Sequence, residues 1–313
     1  MSEADTRIHV DLGHLRSLQG AAQGLSFLPR QPSASVLNGR HVSRLRGRGL
    51  NFEEMRGYLP GDDIRSIDWK ATARTGTPHV RVFTEERDRP ALVVVDQRMS
   101  MFYGSRLNMK SVTAAEAAAI AAFRVLDAGD RIGGIVFNEA EQREFTPRRS
   151  RQGLYSLLEA VAQMNGTLHA DNPATAEPGN LNKVLKSIAR IASHDHLVLV
   201  LSDFDGIDDA TERHLAGIAA HNDLILALVH DPSARSIGKQ PKAVLGDGTQ
   251  QAEVDFGRAE IAEAVRQLSS ARLDAILDWQ TRINLSVLPL SAGEETLPQL
   301  RRLMGVAAPV RRV

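Results

Sequence analysis

Two continuous apolar runs, far apart in the chain, constrain the fold more than any other feature of this sequence. Residues 91–95 (Ala-Leu-Val-Val-Val) end at Asp96, and residues 197–201 (Leu-Val-Leu-Val-Leu) end at Ser202 and Asp203. A strand that is apolar at every position is typical of a parallel sheet covered by helices on both faces. Ligands bind such sheets beyond the carboxyl ends of the strands, where the strand order reverses. We therefore expect Asp96 and Asp203 to face each other across that crevice.

From residue 90 onward, the chain alternates between strand and helix patterns. Strands joined by helices of this length require right-handed crossovers and a mostly parallel sheet. The predicted fold is therefore α/β: a doubly wound, mostly parallel sheet of Rossmann type with a turn- and strand-rich N-terminal extension. We expect the extension to cover residues 1–89 and the α/β domain residues 90–306. The predicted strands are 78–85, 91–96, 132–138, 143–146, 197–202, 224–229 and 285–290, with a surface hairpin over 244–254; the predicted helices lie near 12–22, 112–127, 154–161, 181–191, 208–220, 261–268 and 296–304.

Alanines crowd the predicted helix at 112–127. Small side chains let a helix approach a sheet closely, so we expect this helix to lie against the central strand. Thr113 and Glu116 have the spacing of a capping box, which predicts the start of the helix, and Gly129 is placed to end it.

Bulk composition argues against several classes of function. Lys plus Arg and Asp plus Glu number 38 each, so the formal net charge is zero and no overall field attracts nucleic acid or acidic lipid. The 313 residues include no cysteine, which removes disulfides, thiolate metal sites and thiol nucleophiles and is typical of a reducing compartment. The first residues are acidic and polar, and no apolar run approaches the roughly 18 residues that span a bilayer. We expect a cytoplasmic protein that neither crosses a membrane nor binds nucleic acid.

One segment resembles the signature of a known family. Residues 48–75 contain Pro-Gly-Asp-Asp-Ile at 60–64 and Ile-Asp-Trp at 67–69, and the match continues through the strand to Asp96 and through Ser-Asp-Phe at 202–204. Over about residues 40–290 the chain resembles the bacterial domain of unknown function 58. Members of that family look like von Willebrand factor A domains and accompany MoxR-type AAA+ ATPases. The resemblance implies a non-enzymatic adaptor or co-chaperone that works with a MoxR-type ATPase and its client complex.

The resemblance also implies a metal-ion-dependent adhesion site at the carboxyl edge of the sheet. In the parent fold an Asp-x-Ser-x-Ser motif, a threonine and a later aspartate supply the oxygen ligands that suit Mg²⁺. This sequence keeps Asp96, Ser100 and Asp203, but Arg98 replaces the first serine. The threonine is missing from its expected place, where Gly179 and Asn180 stand, and Thr175 lies a few residues upstream.

Arg98 is the most informative of these departures. A guanidinium there removes one ligand and repels a divalent cation, and it can neutralise both aspartates through hydrogen bonds. We expect a degenerate site, made of Asp96, Arg98, Ser100 and Asp203, that binds no metal and no other cofactor, so that Mg²⁺ is disfavoured. Two alternatives stay open: Arg98 points to solvent, or Ser100 and water retain the metal.

The same edge of the sheet is the predicted contact surface for the partner. We assign protein binding to Arg98, Ser100, Arg106 and Asp205, in loops that cover residues 97–106 and 203–208. Arg98 has the geometry to receive a carboxylate of the partner by a bidentate contact.

An enzymatic alternative is a Mg²⁺-dependent phosphohydrolase with an aspartate nucleophile. Asp96, Asp203 and Asp205 imitate the acidic residues that such enzymes place after the strands of a doubly wound sheet. Position 98 argues against it, because those enzymes carry a second aspartate there as acid and base. Arginine cannot exchange a proton at neutral pH.

The signature segment holds its own cluster of charges. We interpret Asp62, Asp63 and Asp68 as forming ion pairs with nearby cations that hold a turn, rather than as a catalytic or metal-binding cluster. Trp69 is interpreted as a core anchor. The nearby cations are Arg65, Lys70 and Arg74.

Overall fold

A computed structural model describes residues 5–22, 50–60, 62–85, 90–169, 180–235, 243–246, 251–254, 272–283 and 285–304. The chain divides into two units, which are described separately below: residues 1–29 with 89–313, and residues 30–88. The helices and strands, in chain order, are α1 (Leu12–Ser17), β1 (Leu50–Gly57), α2 (Trp69–Thr75), β2 (His79–Glu85), β3 (Ala91–Asp96), α3 (Lys110–Asp127), β4 (Ile132–Phe137), β5 (Gln142–Arg148), α4 (Arg151–Gly166), α5 (Asn180–Ile191), β6 (Leu197–Ser202), α6 (Asp209–Ala219), β7 (Asp223–His230), β8 (Ala243–Gly246), β9 (Gln251–Val254), α7 (272–282), β10 (Leu285–Ser291) and α8 (Thr296–Leu303).

The larger unit is built on a six-stranded sheet in the order β10, β7, β6, β3, β4, β5. All neighbouring strands pair in parallel except β5, which runs antiparallel to β4. The chain adds β4 and β5 on one side of β3 and then β6, β7 and β10 on the other, so the strand order reverses between β3 and β6. The predicted doubly wound, mostly parallel fold is confirmed.

Both faces of the central strand are covered by helices, which explains why β3 is apolar at every position. Val93 and Val95 belong to the core on the side of α1, α3, α4 and α8. Leu92 and Val94 belong to the core on the opposite side, with α5, α6 and α7. Within the part of the chain that the structure describes, no helix is both long and apolar enough to cross a membrane.

Helix α3 lies against β3 and β6, and its alanines are buried, as expected. The predicted capping box is wrong. The helix begins at Lys110 with Met109 as its N-cap residue, and Thr113 is a buried residue inside it. The residues before Thr113 are themselves buried, so packing extends the helix by a turn at the expense of the cap. Gly129 adopts a φ of 87° and follows the helix end, as predicted.

The segment over residues 5–22 packs against the sheet domain. The backbone N–H of Val10 donates to Asn165 Oδ1 at 2.8 Å, and Leu15 is fully buried. His14 Nε2 lies 2.8 Å from Glu116 of α3. The N-terminal extension expected over residues 1–89 is thus divided between the two units.

The smaller unit contains an antiparallel ribbon of β1 and β2. Helix α2 lies between these strands in sequence and contacts β2. Ile67 forms a bridge to Val80 of β2, and Asp68 caps α2 by accepting from two backbone N–H groups. The interpretation of Trp69 as a core anchor is wrong, since this side chain is 69% exposed. The cap on α2 makes Trp69 the first helical residue and leaves it in solvent.

Antiparallel pairing of β8 with β9 confirms the hairpin predicted over 244–254. The helix predicted near 261–268 lies outside the described residues.

Candidate functional site

Asp96 and Asp203 lie at adjacent strand ends. Asp96 is the last residue of β3, Asp203 follows β6 directly, and Val95 pairs with Leu201 between the two strands. Both aspartates are buried. This is the point where the strand order reverses, so the structure brings the two carboxylates to the crevice in which doubly wound sheets place their ligands.

Arg98 forms a bidentate ion pair with Asp96. Its Nε lies 3.0 Å from each carboxylate oxygen, and its Nη2 donates to Oδ2 at 2.7 Å. The backbone N–H of Arg98 also donates to Asp96 Oδ1, at 2.9 Å. The guanidinium lies over the Phe137 ring at 5.7 Å, and the side chain is only 11% exposed, so Arg98 does not point to solvent.

Two cations lie close to the Asp203 carboxylate. The Nζ of Lys110, the first residue of α3, donates to Asp203 Oδ2 at 2.7 Å. Arg98 Nη2 lies 3.8 Å from Oδ1, and the Ser100 hydroxyl donates to the same oxygen at 3.2 Å. Arg98 therefore lies between the two aspartates, and Lys110 completes the charge balance of the group.

The electrostatics of the group follow from burial and from these cations. Burial alone would raise the pKa of Asp203, but the charges of Lys110 and Arg98 outweigh it and lower the pKa to about 2. Burial would lower the pKa of Arg98, yet Asp96, Asp203 and Asp205 hold it above its usual value. The two carboxylates and the two cations thus cancel within one cluster, which we call the ion cluster: Asp96, Arg98, Lys110 and Asp203.

The loop after β6 is held in an uncommon conformation. Ser202 Oγ donates to Asp96 Oδ2 at 2.6 Å and accepts from the backbone N–H of Phe204 at 2.8 Å. Phe204 has a φ of 54°, which a bulky residue rarely adopts, and its ring is fully buried. Such conformations persist where surrounding contacts determine them, and here the buried ring and Ser202 do so.

Asp205 and Arg106 occupy the rim rather than the ion cluster. The Asp205 carboxylate is about half exposed and pairs with Arg272, while its backbone carbonyl accepts from Arg98 Nη1 at 3.1 Å. Arg106 is exposed on the loop before α3 and makes no contact with the aspartates among the described residues. That loop is anchored by Ser105, which donates to Asp231 through its backbone N–H (2.8 Å) and its hydroxyl (2.6 Å).

A further carboxylate lies beside the cluster. Glu139, just beyond β4, accepts from the backbone N–H of Met99 at 2.6 Å and so holds the loop that carries Arg98. Burial raises the pKa of Glu139.

The residues present do not fit a divalent cation. Arg98 Nη2 already occupies the space between the carboxylates, and the remaining Asp203 oxygen is taken by Lys110. Ser100 uses its hydroxyl hydrogen toward Asp203, and Arg98 takes the place of a further oxygen ligand. Across the described ranges, no group of three or more His, Asp or Glu side chains is arranged to hold a metal. In the structure, the site is held together by ion pairs and hydrogen bonds.

Sequence reasoning missed four contributors to this site, one of which is Glu139. Lys110 and Arg272 reach the aspartates from distant parts of the chain, and nothing in the local pattern marks either as a partner. Ser202 directly precedes Asp203 at the end of an apolar run, and this position predicts a hydroxyl close to the two carboxylates.

Comparison with known proteins identifies a family and similar proteins in two mycobacteria. A family model described as "Protein of unknown function DUF58" matches residues 54–273. An uncharacterized protein of Mycobacterium tuberculosis and another of Mycobacterium bovis are each 29% identical to this chain over 282 residues, covering 84% of this chain and 86% of the relative. The residues that the family model matches contain the signature segment from residue 54 onward and every residue of the ion cluster.

Proposed function

The chain belongs to the DUF58 family of proteins of unknown function, and from this premise we propose that it is a non-enzymatic adaptor or co-chaperone for a MoxR-type AAA+ ATPase and its client complex. The class of partner comes from the resemblance of the signature segment. The strand order, with β5 antiparallel at one edge, is compatible with a von Willebrand factor A-like domain. We place its action in the cytoplasm.

The observation that carries the proposal is the closed Asp96–Arg98 pair. In an adhesion site that uses a metal, the ion neutralises the aspartates and its open position takes an acidic residue of the partner. Here Arg98 and Lys110 supply that neutralisation. Binding at this edge is therefore independent of divalent cations.

The contact surface is formed by the two loops over residues 97–106 and 203–208. Arg106 and Asp205 are exposed and make the contact. Arg98 and Ser100 support it from beneath, because Arg98 holds the carbonyl of Asp205 and Ser100 holds Asp203. The fork of Arg98 is already engaged by Asp96, so a second bidentate contact with a carboxylate of the partner would have to displace it.

The geometry gives no support to a phosphohydrolase. A nucleophilic carboxylate has to reach phosphorus, whereas Asp96 is fully buried and both of its oxygens accept hydrogen bonds from Arg98 or Ser202. The matching test is turnover of a generic phosphate ester in the presence of Mg²⁺. Turnover that disappears in Asp96→Asn would establish the enzymatic alternative in place of the adaptor.

The adaptor is tested by capture from extracts of the source cell, with bound proteins identified by mass spectrometry. The wild-type chain should recover a MoxR-type ATPase equally well with EDTA and with Mg²⁺. Recovery should fall for Arg106→Glu and for Asp205→Arg. Lys186→Glu, an exposed charge reversal on α5, is the matched control and should leave recovery unchanged.

Three results would count against the proposal. Absence of any ATPase from the captured proteins removes the partner. Loss of capture in EDTA removes the independence from metal. Capture that survives both rim substitutions moves the interface away from the two loops.

A further inference from the structure

The signature segment exposes large apolar side chains. We call residues 59–69 the signature turn; all but Gly61 are described. Leu59, Ile64 and Trp69 are 59%, 65% and 69% exposed, and they are the three most exposed large apolar side chains of the described residues. Isolated exposed apolar residues are ordinary, whereas grouped ones are typical of interaction sites, and these three lie within eleven residues of sequence.

Local hydrogen bonds, not burial, hold this turn in shape. Asp62 accepts a fork from Arg56, at 2.7 and 2.8 Å, and a bond from the backbone N–H of Leu59 at 2.8 Å. The hydrogen bond from Arg56, aided by that from Leu59, lowers the pKa of Asp62 to about 2. Asp63 accepts from the backbone N–H of Arg65 at 2.9 Å. The apolar side chains are therefore presented on an ordered backbone.

The end of the turn is fixed in the same way. Asp68 accepts from the backbone N–H groups of Lys70 and Ala71, at 2.9 and 3.0 Å. Its own backbone N–H donates to His79 of β2 at 2.8 Å. Trp69 is thus held at a defined place, at the start of α2.

The charges around the turn sum to a small positive value. Arg56 offsets Asp62, whereas Asp63 and Asp68 accept from backbone N–H groups and keep their negative charge. With Arg65, Lys70 and Arg74, residues 56–74 hold four cations and three carboxylates, a net charge of +1. The expected ion pairs with the other cations are not formed: within the described ranges, no carboxylate partners Arg65, Lys70 or Arg74, and all three are exposed.

We propose that the signature turn, together with Lys70 and Arg74 of α2, is a docking surface for an acidic, apolar segment of a partner protein. Apolar residues of the segment cover Leu59, Ile64 and Trp69, and its carboxylates meet the three exposed cations. A defined turn with a few fixed cations suits one segment of matching shape, and the zero net charge of the chain gives no general attraction to an anionic surface. None of these residues belongs to the loops assigned above to the ATPase contact, so the inference goes beyond the proposed function and does not depend on it.

Trp69 provides an intrinsic probe of this surface. The only other tryptophan, Trp279, is 4% exposed within the core of the larger unit. In the free chain, Trp69 should emit as a solvated indole and be quenched by acrylamide. Trp69→Phe removes that component and assigns the signal.

The probes are a short amphipathic helical peptide of leucine and glutamate and a matched peptide of leucine and lysine. The acidic peptide should shift the Trp69 emission to shorter wavelength and protect it from acrylamide, and the basic peptide should not. Ile64→Ser, and separately the double change Arg65→Glu with Lys70→Glu, should weaken the affinity by about tenfold, measured by anisotropy of labelled peptide. Leu277→Ser and Arg213→Glu, at exposed positions on α7 and α6, are matched controls that should leave it unchanged.

Several outcomes would overturn the inference. Equal responses to both peptides would show that charge complementarity plays no part. No response to either peptide would show that the surface is not a docking site. A response to vesicles of anionic phospholipid but not to the acidic peptide assigns the surface to a membrane. Shielding of Trp69 in the free chain shows that the chain covers its own surface, and shielding that grows with protein concentration shows that a second copy does.

Discussion

Replacing Arg98 by methionine removes the cation on which Asp96 depends while keeping much of the side-chain volume. Asp96 is fully buried and would keep two hydrogen bonds, from the Ser202 hydroxyl and from the backbone N–H of residue 98. Removing one partner of a buried ion pair costs about 3–5 kcal/mol. The two retained bonds place this substitution at the lower end, so the free energy of unfolding should fall by about 3 kcal/mol.

A double variant shows whether the loss of stability comes from the unpaired charge of Asp96 or from lost packing. Asp96→Asn combined with Arg98→Met leaves no buried charge at this position, and the double variant should recover to within about 1 kcal/mol of wild type. Arg302→Met is the surface control. It breaks an exposed pair with Glu294, and such pairs contribute about 0–1 kcal/mol.

The assay is urea unfolding followed by the fluorescence of Trp279 in a Trp69→Phe background. Trp279 is buried in the larger unit, so in this background the emission reports on that unit alone. The reasoning is refuted if Arg98→Met costs no more than Arg302→Met. It is also refuted if the double variant is as unstable as Arg98→Met, because packing and not charge would then explain the loss.

Two other substitutions test the site and the sheet. Because the folded pKa of Asp203 is lowered from 3.8 to about 2, this carboxylate stabilises the fold above pH 4 and loses that contribution as the pH falls toward 2. Lys110→Met should therefore cost about 1–2 kcal/mol in urea unfolding at neutral pH and almost nothing near pH 2, and an equal cost at both pH values would contradict the pairing. Gly134→Ala on β4 would place a Cβ 2.6 Å from the carbonyl oxygen of Val93, so it should cost about 1–3 kcal/mol, whereas Gly166→Ala, with open space at its Cβ, should be neutral in the same measurement.

The strands were predictable because their sequence signal is local and strong. An apolar residue at every position from 91 to 95 requires cover on both faces, and the structure supplies it. The carboxylates that end such strands, Asp96 and Asp203, could be located from the same pattern. Their closeness follows from topology, since β3 and β6 pair directly.

What escaped prediction depends on contacts between distant residues. Lys110 reaches Asp203 across 93 positions of sequence, and no local pattern connects the two. The capping-box spacing at Thr113 was outweighed by burial of the preceding turn. Composition alone predicts a core position for Trp69, whereas hydrogen bonds of Asp68 to the backbone hold the turn without burying the indole.

The most direct test of the central claim is calorimetric titration of the wild-type chain with Mg²⁺ and with Mn²⁺. Since Arg98 and Lys110 already neutralise Asp96 and Asp203, neither ion should give saturable heat at concentrations up to millimolar. Saturable binding well below millimolar would show that the carboxylates still accept a metal. The claim that the chain's own cations take the place of the metal would then be wrong.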